Sequence, residues 1–307
     1  MRLRPQAAIR HPDKDRLCLK VYPKCIMLVG ARNESMNSPE ARFEGELEVF
    51  RTEAEAAMQF FYAYLTVNAV AVGHQPVYRL LNTAPLFWNT IRGALQTAAF
   101  MALGRVFDQN SPHNLDRLLR IAQDNPSIFS QASLGARKQG GSPTPPDWLA
   151  QYVRDAYVPT PEDFRRLRDH VRKRRTVYEA KYRDLRHRLF AHKRASARAD
   201  IDALFAKTNI RELQRMLAFL GSLYEALWQL FFNGRKPVLR PRRYSVKHMR
   251  HSPSPPWQTS GVQERIIHEA EQFLRSVAGV AQQRPSKEPS RFRLPQLLEG
   301  LPTSHSQ

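Results

Sequence analysis

The stretch Arg186-His187-Arg188-Leu189-Phe190-Ala191-His192 puts guanidinium and imidazole groups within seven residues of one another. Guanidinium offers a planar fork of donors that fits phosphate. Imidazole exchanges a proton near neutral pH. A phosphate grip beside a proton carrier is the minimal equipment for cutting an RNA backbone without a metal. The plainer alternative is a run of solvated charges on a helix surface.

Spacing constrains the chemistry. On a straight α-helix Arg188 and His192 are four apart and share a face. Arg186 and His192 are six apart, about 120° away around the axis. They meet on one phosphate if the helix turns near Phe190-Ala191, or across a dimer interface.

The helix that carries these residues has a clear start at Thr160-Pro161-Glu162-Asp163: a capping residue, proline in the first turn and acids after it. Its stripe of Phe164, Leu167, Val171, Tyr178, Tyr182, Leu185 and Leu189 predicts one helix to about Arg194. Other helices surround it. Phe43, Leu47, Phe50, Ala54, Met58, Phe61 and Leu65 step by three and four, which predicts a helix over 41–72, ended by Gly73 and Pro76. Thr83 is read as the cap of a second helix, Phe87–Asp108. That helix is apolar on most faces and is therefore expected at the centre of the bundle. Short helices follow Ser111-Pro112 and Asn125-Pro126, and residues 140–146 form a Gly/Pro-rich break. A short helix is expected with Ile201, Leu204 and Phe205. Asn209 with Glu212 opens another helix, which Asn233-Gly234 closes. No strand alternation or repeat is visible. The fold expected is all-α: an antiparallel bundle over 41–233, with four long helices and short ones between. Residues 1–40 read as a weakly ordered extension, with Met36 as an alternative start. Residues 234–307 read as a basic Pro/Ser-rich tail. It carries one amphipathic helix near 260–278, built on Ile266, Ile267, Ala270, Phe273 and Val277, and the last ~28 residues have a disordered composition.

The chain has a formal charge of +20, which points first to nucleic acid and second to an anionic membrane surface. The charge is concentrated. Between Pro161 and Ser196 there are thirteen Lys/Arg against five Asp/Glu, and residues 235–251 hold seven Lys/Arg and no acid. Such a focused field suits a phosphate backbone. The RNA-binding candidates are Arg174, Arg175, Arg183, Arg188, Lys193 and Arg194. Tyr178 and Tyr182 suit either base stacking or the core. Arg105 and Asp108 suit either a supporting role or an ion pair between helices. Cys18 and Cys25 give no disulfide framework and no Cys-x2-Cys metal pattern. His248 and His251 have a metal-like spacing, but basic neighbours repel a cation. No metal or cofactor is expected. No apolar run approaches the roughly 18–20 residues that span a bilayer, and no signal peptide is visible. The protein reads as cytoplasmic, without stable membrane insertion.

Arg186-His187 followed after four residues by His192, at the end of a long bundle helix, resembles the signature of the HEPN superfamily. Phe87-Trp88, Ala94-Leu95, Leu103-Gly104-Arg105-Val106-Phe107-Asp108 and Leu115-Asp116-Arg117-Leu118-Leu119 resemble its abortive-infection, AbiU-like branch. The similarity covers roughly 45–233. Residue 187 is His where Asn or Asp is commoner. The resemblance implies a helical homodimer with two motifs around a shared cleft. It also implies a metal-independent endoribonuclease acting in phage defence or as a toxin, with an antitoxin or defence partner. On that pattern Arg186 holds the scissile phosphate. His192 is general base on the ribose 2′-hydroxyl or general acid on the leaving 5′-oxygen, and His187 orients or polarises. The product would be a 2′,3′-cyclic phosphate, and DNA would not be cut. Two other readings remain: a non-catalytic HEPN protein that binds nucleic acid or a partner, and a helical scaffold whose basic tail contacts membrane or acidic protein.

Overall fold

The computed structural model describes residues 38–191, 206–251 and 261–282. His192, Lys193, Arg194, the short helix expected at 201–205 and the expected disorder of the last ~28 residues lie outside the described residues. The described chain is all-α, a helical bundle without strands.

Helix α1, Pro39–Gly73, is the axis. All seven residues of its expected stripe are buried, and each such side chain contributes roughly 1.5–3 kcal/mol by leaving water. Among the described residues α1 is the helix long and apolar enough to cross a membrane, yet half of its apolar window is buried against its neighbours.

Helix α2, Gln75–Thr83, occupies a segment expected to be a break. His74 caps it, accepting from the Val77 N–H at 3.4 Å, and Val77 and Leu81 turn inward. Thr83 consequently does not cap the next helix: its hydroxyl donates to the Leu80 carbonyl at 2.7 Å. Helix α3, Pro85–Phe107, starts behind Ala84 with no side-chain cap. Its apolar character overstates its burial. The C-terminal half is in the core, but Leu86 and Phe87 are exposed. The central helix is α1, which packs on elements both before and after the motif, and α3 is one of its flanks.

Helix α4, Leu115–Asp124, is capped by Asn114. A 3₁₀ turn, Pro126–Phe129, leads to α5, Gln131–Gln139, which ends at Gly140 with φ 59°. Helix α6, Leu149–Arg154, precedes α7, Pro161–Lys181. The expected capping box at Thr160 is present: its N–H and hydroxyl both donate to Asp163 Oδ2 at 2.9 Å. Burial opposes the charge on Asp163, but the donors from Tyr157 and Thr160 prevail and hold its carboxyl below the usual range. Helix α8 is the single turn Arg183–Leu185. Helix α9, Ile210–Asn233, has Asn209 as its cap and Gly234, φ 55°, as its stop.

Contacts fix the directions. Arg92 lies over the Tyr64 ring and Arg105 pairs with Glu53, so α3 runs antiparallel to α1. Phe231 packs on Phe43 and Tyr224 on Phe50, so α9 is also antiparallel to α1. Arg174 lies over Phe219 while Lys181 pairs with Glu212, so α7 runs antiparallel to α9.

Residues 235–245, where charge suggested the start of a tail, form an extended strap along the bundle. Ser222 donates to the Arg240 carbonyl at 2.7 Å and the Tyr62 hydroxyl to the Tyr244 carbonyl at 2.9 Å. Helix α10, Val246–His251, buries Val246 and Met249 in the main core. His248 and His251 are exposed on it, and no group of metal-binding side chains occurs among the described residues. Helix α11, Val262–Gln282, is the expected amphipathic helix on a different face: Ile267, Leu274 and Ala278 are buried, whereas Phe273 is 60% exposed. Leu274 and Ala278 pack with Val67, Val70, Val77 and Leu81. Arg250 ties α10 to α11 through Glu271, at 2.7 and 2.9 Å.

Candidate active site

The helix that carries the motif is not regular. It loosens at Tyr182 (φ −114°, ψ −26°), which stays in the helical region and keeps its bond to the Tyr178 carbonyl at 2.8 Å, continues through the turn α8, and then widens into a π-helical turn, Arg186–Ala191. A π turn has wider spacing than an α turn and re-aims the side chains it carries. The sequence predicted one straight helix because tyrosine gives no sign of a distortion. Tertiary contacts produce it. The Tyr182 ring is fully buried and stacks on Phe100, and its hydroxyl donates to the Asn209 carbonyl and Glu212, both at 3.1 Å.

Arg186 emerges from this turn and lies across α3 at Gly104. A Cβ on residue 104 would collide with Arg186 Nη1. Glycine inside a helix costs up to about 1 kcal/mol relative to alanine, and here it opens the seat for the guanidinium. Arg186 Nη2 donates to Asp108 Oδ2 at 2.5 Å, and the side chains are only 12% and 14% exposed. Asp108 sits just past the C-terminus of α3, where a carboxylate is disfavoured by the helix dipole. Arg186 supplies the compensating charge.

The same Nη2 is 3.0 Å from His187 Nε2. Guanidinium only donates, so this contact is a hydrogen bond when Nε2 is the unprotonated ring nitrogen. Nε2 is 3.9 Å from Asp108 Oδ2, a contact that becomes attractive if the ring gains a proton. Arg186 Nε is buried and makes no hydrogen bond among the described residues. The Tyr178 hydroxyl is also buried without a partner among them. Its pKa is raised by burial first and by the Asp108 carboxylate second, so it stays a neutral phenol beside the pair.

The structure therefore brings Arg186, His187 and Asp108 together. Arg105 is one residue from Gly104 but faces α1, pairing with Glu53 at 2.8 Å. Tyr178 and Tyr182 are core residues, too buried to stack on a base. Arg175 turns inward to Asp116 at 2.5 Å. Arg174 is half-buried over Phe219. Arg183 and Arg188 are exposed and make no ion pair among the described residues. Sequence reasoning noted Gly104 within the family-like stretch 103–108 but missed its role as the seat of Arg186. Its only signal was a helical glycine four residues before Asp108.

An all-helical bundle with an Arg-His motif on the closing turn of a long helix defines a HEPN-type domain. The chain belongs to the AbiU2 family of that class, whose model matches residues 40–252, and this places it among HEPN-type defence and toxin proteins. The match includes the strap and α10, beyond the 45–233 over which the motifs resemble the family. No curated protein and no solved structure matches the chain.

Proposed function

We propose that the protein is a metal-independent endoribonuclease that acts on RNA as a homodimeric defence or toxin effector. The observation that carries this reading is the seat of Arg186. Gly104 and Asp108 fix the guanidinium, an imidazole lies beside it, and its Nε donor makes no hydrogen bond among the described residues. Such fixed donors stabilise charge that develops on a phosphate, an effect worth about 10²–10³ in rate. In the reaction a base takes the proton of the 2′-hydroxyl, the oxygen attacks phosphorus, and the P–O5′ bond breaks as an acid protonates the leaving oxygen. His187 and His192 are the candidate proton carriers, and Arg183 and Arg188 the exposed cations for flanking phosphates. An antitoxin or defence protein is the expected partner.

A second reading is a HEPN-type protein that binds RNA without cutting it. It is favoured by the depth of Arg186 and its engagement by Asp108.

The test is single-turnover cleavage of labelled RNA in EDTA by wild type, Arg186→Ala and His192→Ala. The expected result is cleavage by the wild type alone, leaving 2′,3′-cyclic phosphate ends. A folded wild type that binds RNA in a salt-dependent way but leaves it intact selects the second reading.

A further inference from the structure

A second cluster of arginines lies away from the motif and shares no residue with it. Between α1, α9, the strap and the first turn of α11 is a cavity of about 210 Å³, lined by Arg51, Arg242 and Arg265. The strap delivers Arg242, and Gly221 lets it close on α9: a Cβ there would be 3.0 Å from Arg242 Nη1. Gly261, Val262 and Gln263 bring the N-terminus of α11 to the same space. This helix is 21 residues long, and its positive end favours an anion. Glu264 already takes the Gly261 N–H at 3.0 Å.

Two carboxylates share the cavity. Glu55 accepts from Arg51 Nη1 at 3.1 Å, and Glu48 engages the other edge of that guanidinium. Glu225 is 3.8 Å from Arg242 Nη2, beyond hydrogen-bond distance. Arg242 is therefore the loosely compensated cation of the group.

An independent observation is Gln263. It is 5% exposed, and its side-chain oxygen is buried without a hydrogen-bond partner among the described residues. An orphaned buried acceptor costs on the order of 1–3 kcal/mol, and such groups call for a donor. Tyr224 also lines the cavity. Burial pushes its hydroxyl up to about 12, so it is a neutral hydrogen-bonding group there at physiological pH.

We propose that this cavity binds a small phosphomonoester, its phosphate between Arg242 and the N-terminus of α11 and one of its hydroxyls donating to Gln263. The volume fits a sugar phosphate and not an oligonucleotide, so the site is separate in kind from an RNA-binding surface.

Titration calorimetry of the full chain with ribose 5-phosphate, inorganic phosphate and ribose tests it. Ribose 5-phosphate saturates a single site, inorganic phosphate binds more weakly, and ribose gives no heat. Arg242→Ala weakens ribose 5-phosphate at least tenfold, and Arg242→Lys recovers part of the loss. Gln263→Ala weakens ribose 5-phosphate but leaves inorganic phosphate unchanged. A lack of saturable binding by both phosphates overturns the proposal. So does binding that Arg242→Ala leaves intact in a variant whose thermal melt matches wild type.

Discussion

Two buried ion pairs lie along one run of chain, and they differ instructively. Arg175 meets Asp116 and Arg186 meets Asp108, each at 2.5 Å, with arginines 10% and 12% exposed. Arg175 projects from regular α-helix and joins α7 to α4. Its Nε, like that of Arg186, makes no hydrogen bond among the described residues, but no imidazole shares its carboxylate there. Arg186 projects from a π turn, rests on a glycine, and carries an imidazole on the same nitrogen that binds the acid. Charge, burial and distance alone do not separate a structural tie from a candidate active site. The irregular backbone and the third group do.

The sharpest way to test that contrast is to remove each arginine. Arg186→Ala is expected to lower single-turnover cleavage about 10²–10³-fold, or roughly 3–4 kcal/mol of barrier, with a melt that shows the variant folded. Arg175→Ala should spare cleavage, and both variants should lose stability, because Arg186→Ala strands the still more buried carboxylate of Asp108. Losing Arg175 leaves Asp116, 32% exposed, without its partner, and unfolding by urea should show a loss of roughly 1–3 kcal/mol. Cleavage per folded molecule should stay within about threefold. A cleavage defect in both variants would erase the distinction.

Gly104→Ala probes the seat without touching a charge. The added methyl meets the guanidinium and pushes it off Asp108, and displacements of about 1 Å at a reacting group cost up to 10²-fold in rate. We expect a 10–100-fold loss of cleavage. Stability should also fall, by roughly 1–3 kcal/mol, because the methyl overpacks the seat and displaces a buried ion pair, with helix propensity offsetting only part of the loss. Wild-type rates in this variant would show that Arg186 works from another position.

The smallest effect is expected at Glu271, far from the motif. The hydrogen bond from Arg250 holds its carboxyl at about 2. In the unfolded chain it titrates near ~4.3. Its contribution is therefore full above about pH 5 and is lost as pH falls toward 2. Glu271→Gln should cost about 1 kcal/mol at pH 7, after allowing for solvent screening, and nothing near pH 2. Urea melts at the two pH values measure it.

The sequence exposed what repeats or caps. The α1 stripe, the Thr160 capping box, the Asn209 cap and the Gly234 stop follow from spacing and residue type. Helix α2 escaped because Gly73 and Pro76 read as a stop, whereas His74 and Pro76 begin a new helix there. The strap escaped because two of its anchors are the carbonyls of Arg240 and Tyr244, and a carbonyl looks the same in every residue. At the candidate site, Arg186 and His187 were legible as a motif. The partners that decide their state, Gly104 and Asp108, lie about eighty residues away in sequence. Nothing local pairs a helical glycine with a distant arginine.

Helix α11 is among the last parts of the described chain, yet it covers Val67 and Val70 at the end of α1, and Arg250 donates to the Ala69 carbonyl beside them. During synthesis, about two hundred residues must follow α1 before that cover is made, which is about 10–40 s at ribosomal speeds. For that interval a nascent chain presents an open apolar end to its surroundings. The order of the helices thus leaves closure of that end to the C-terminal part of the described chain.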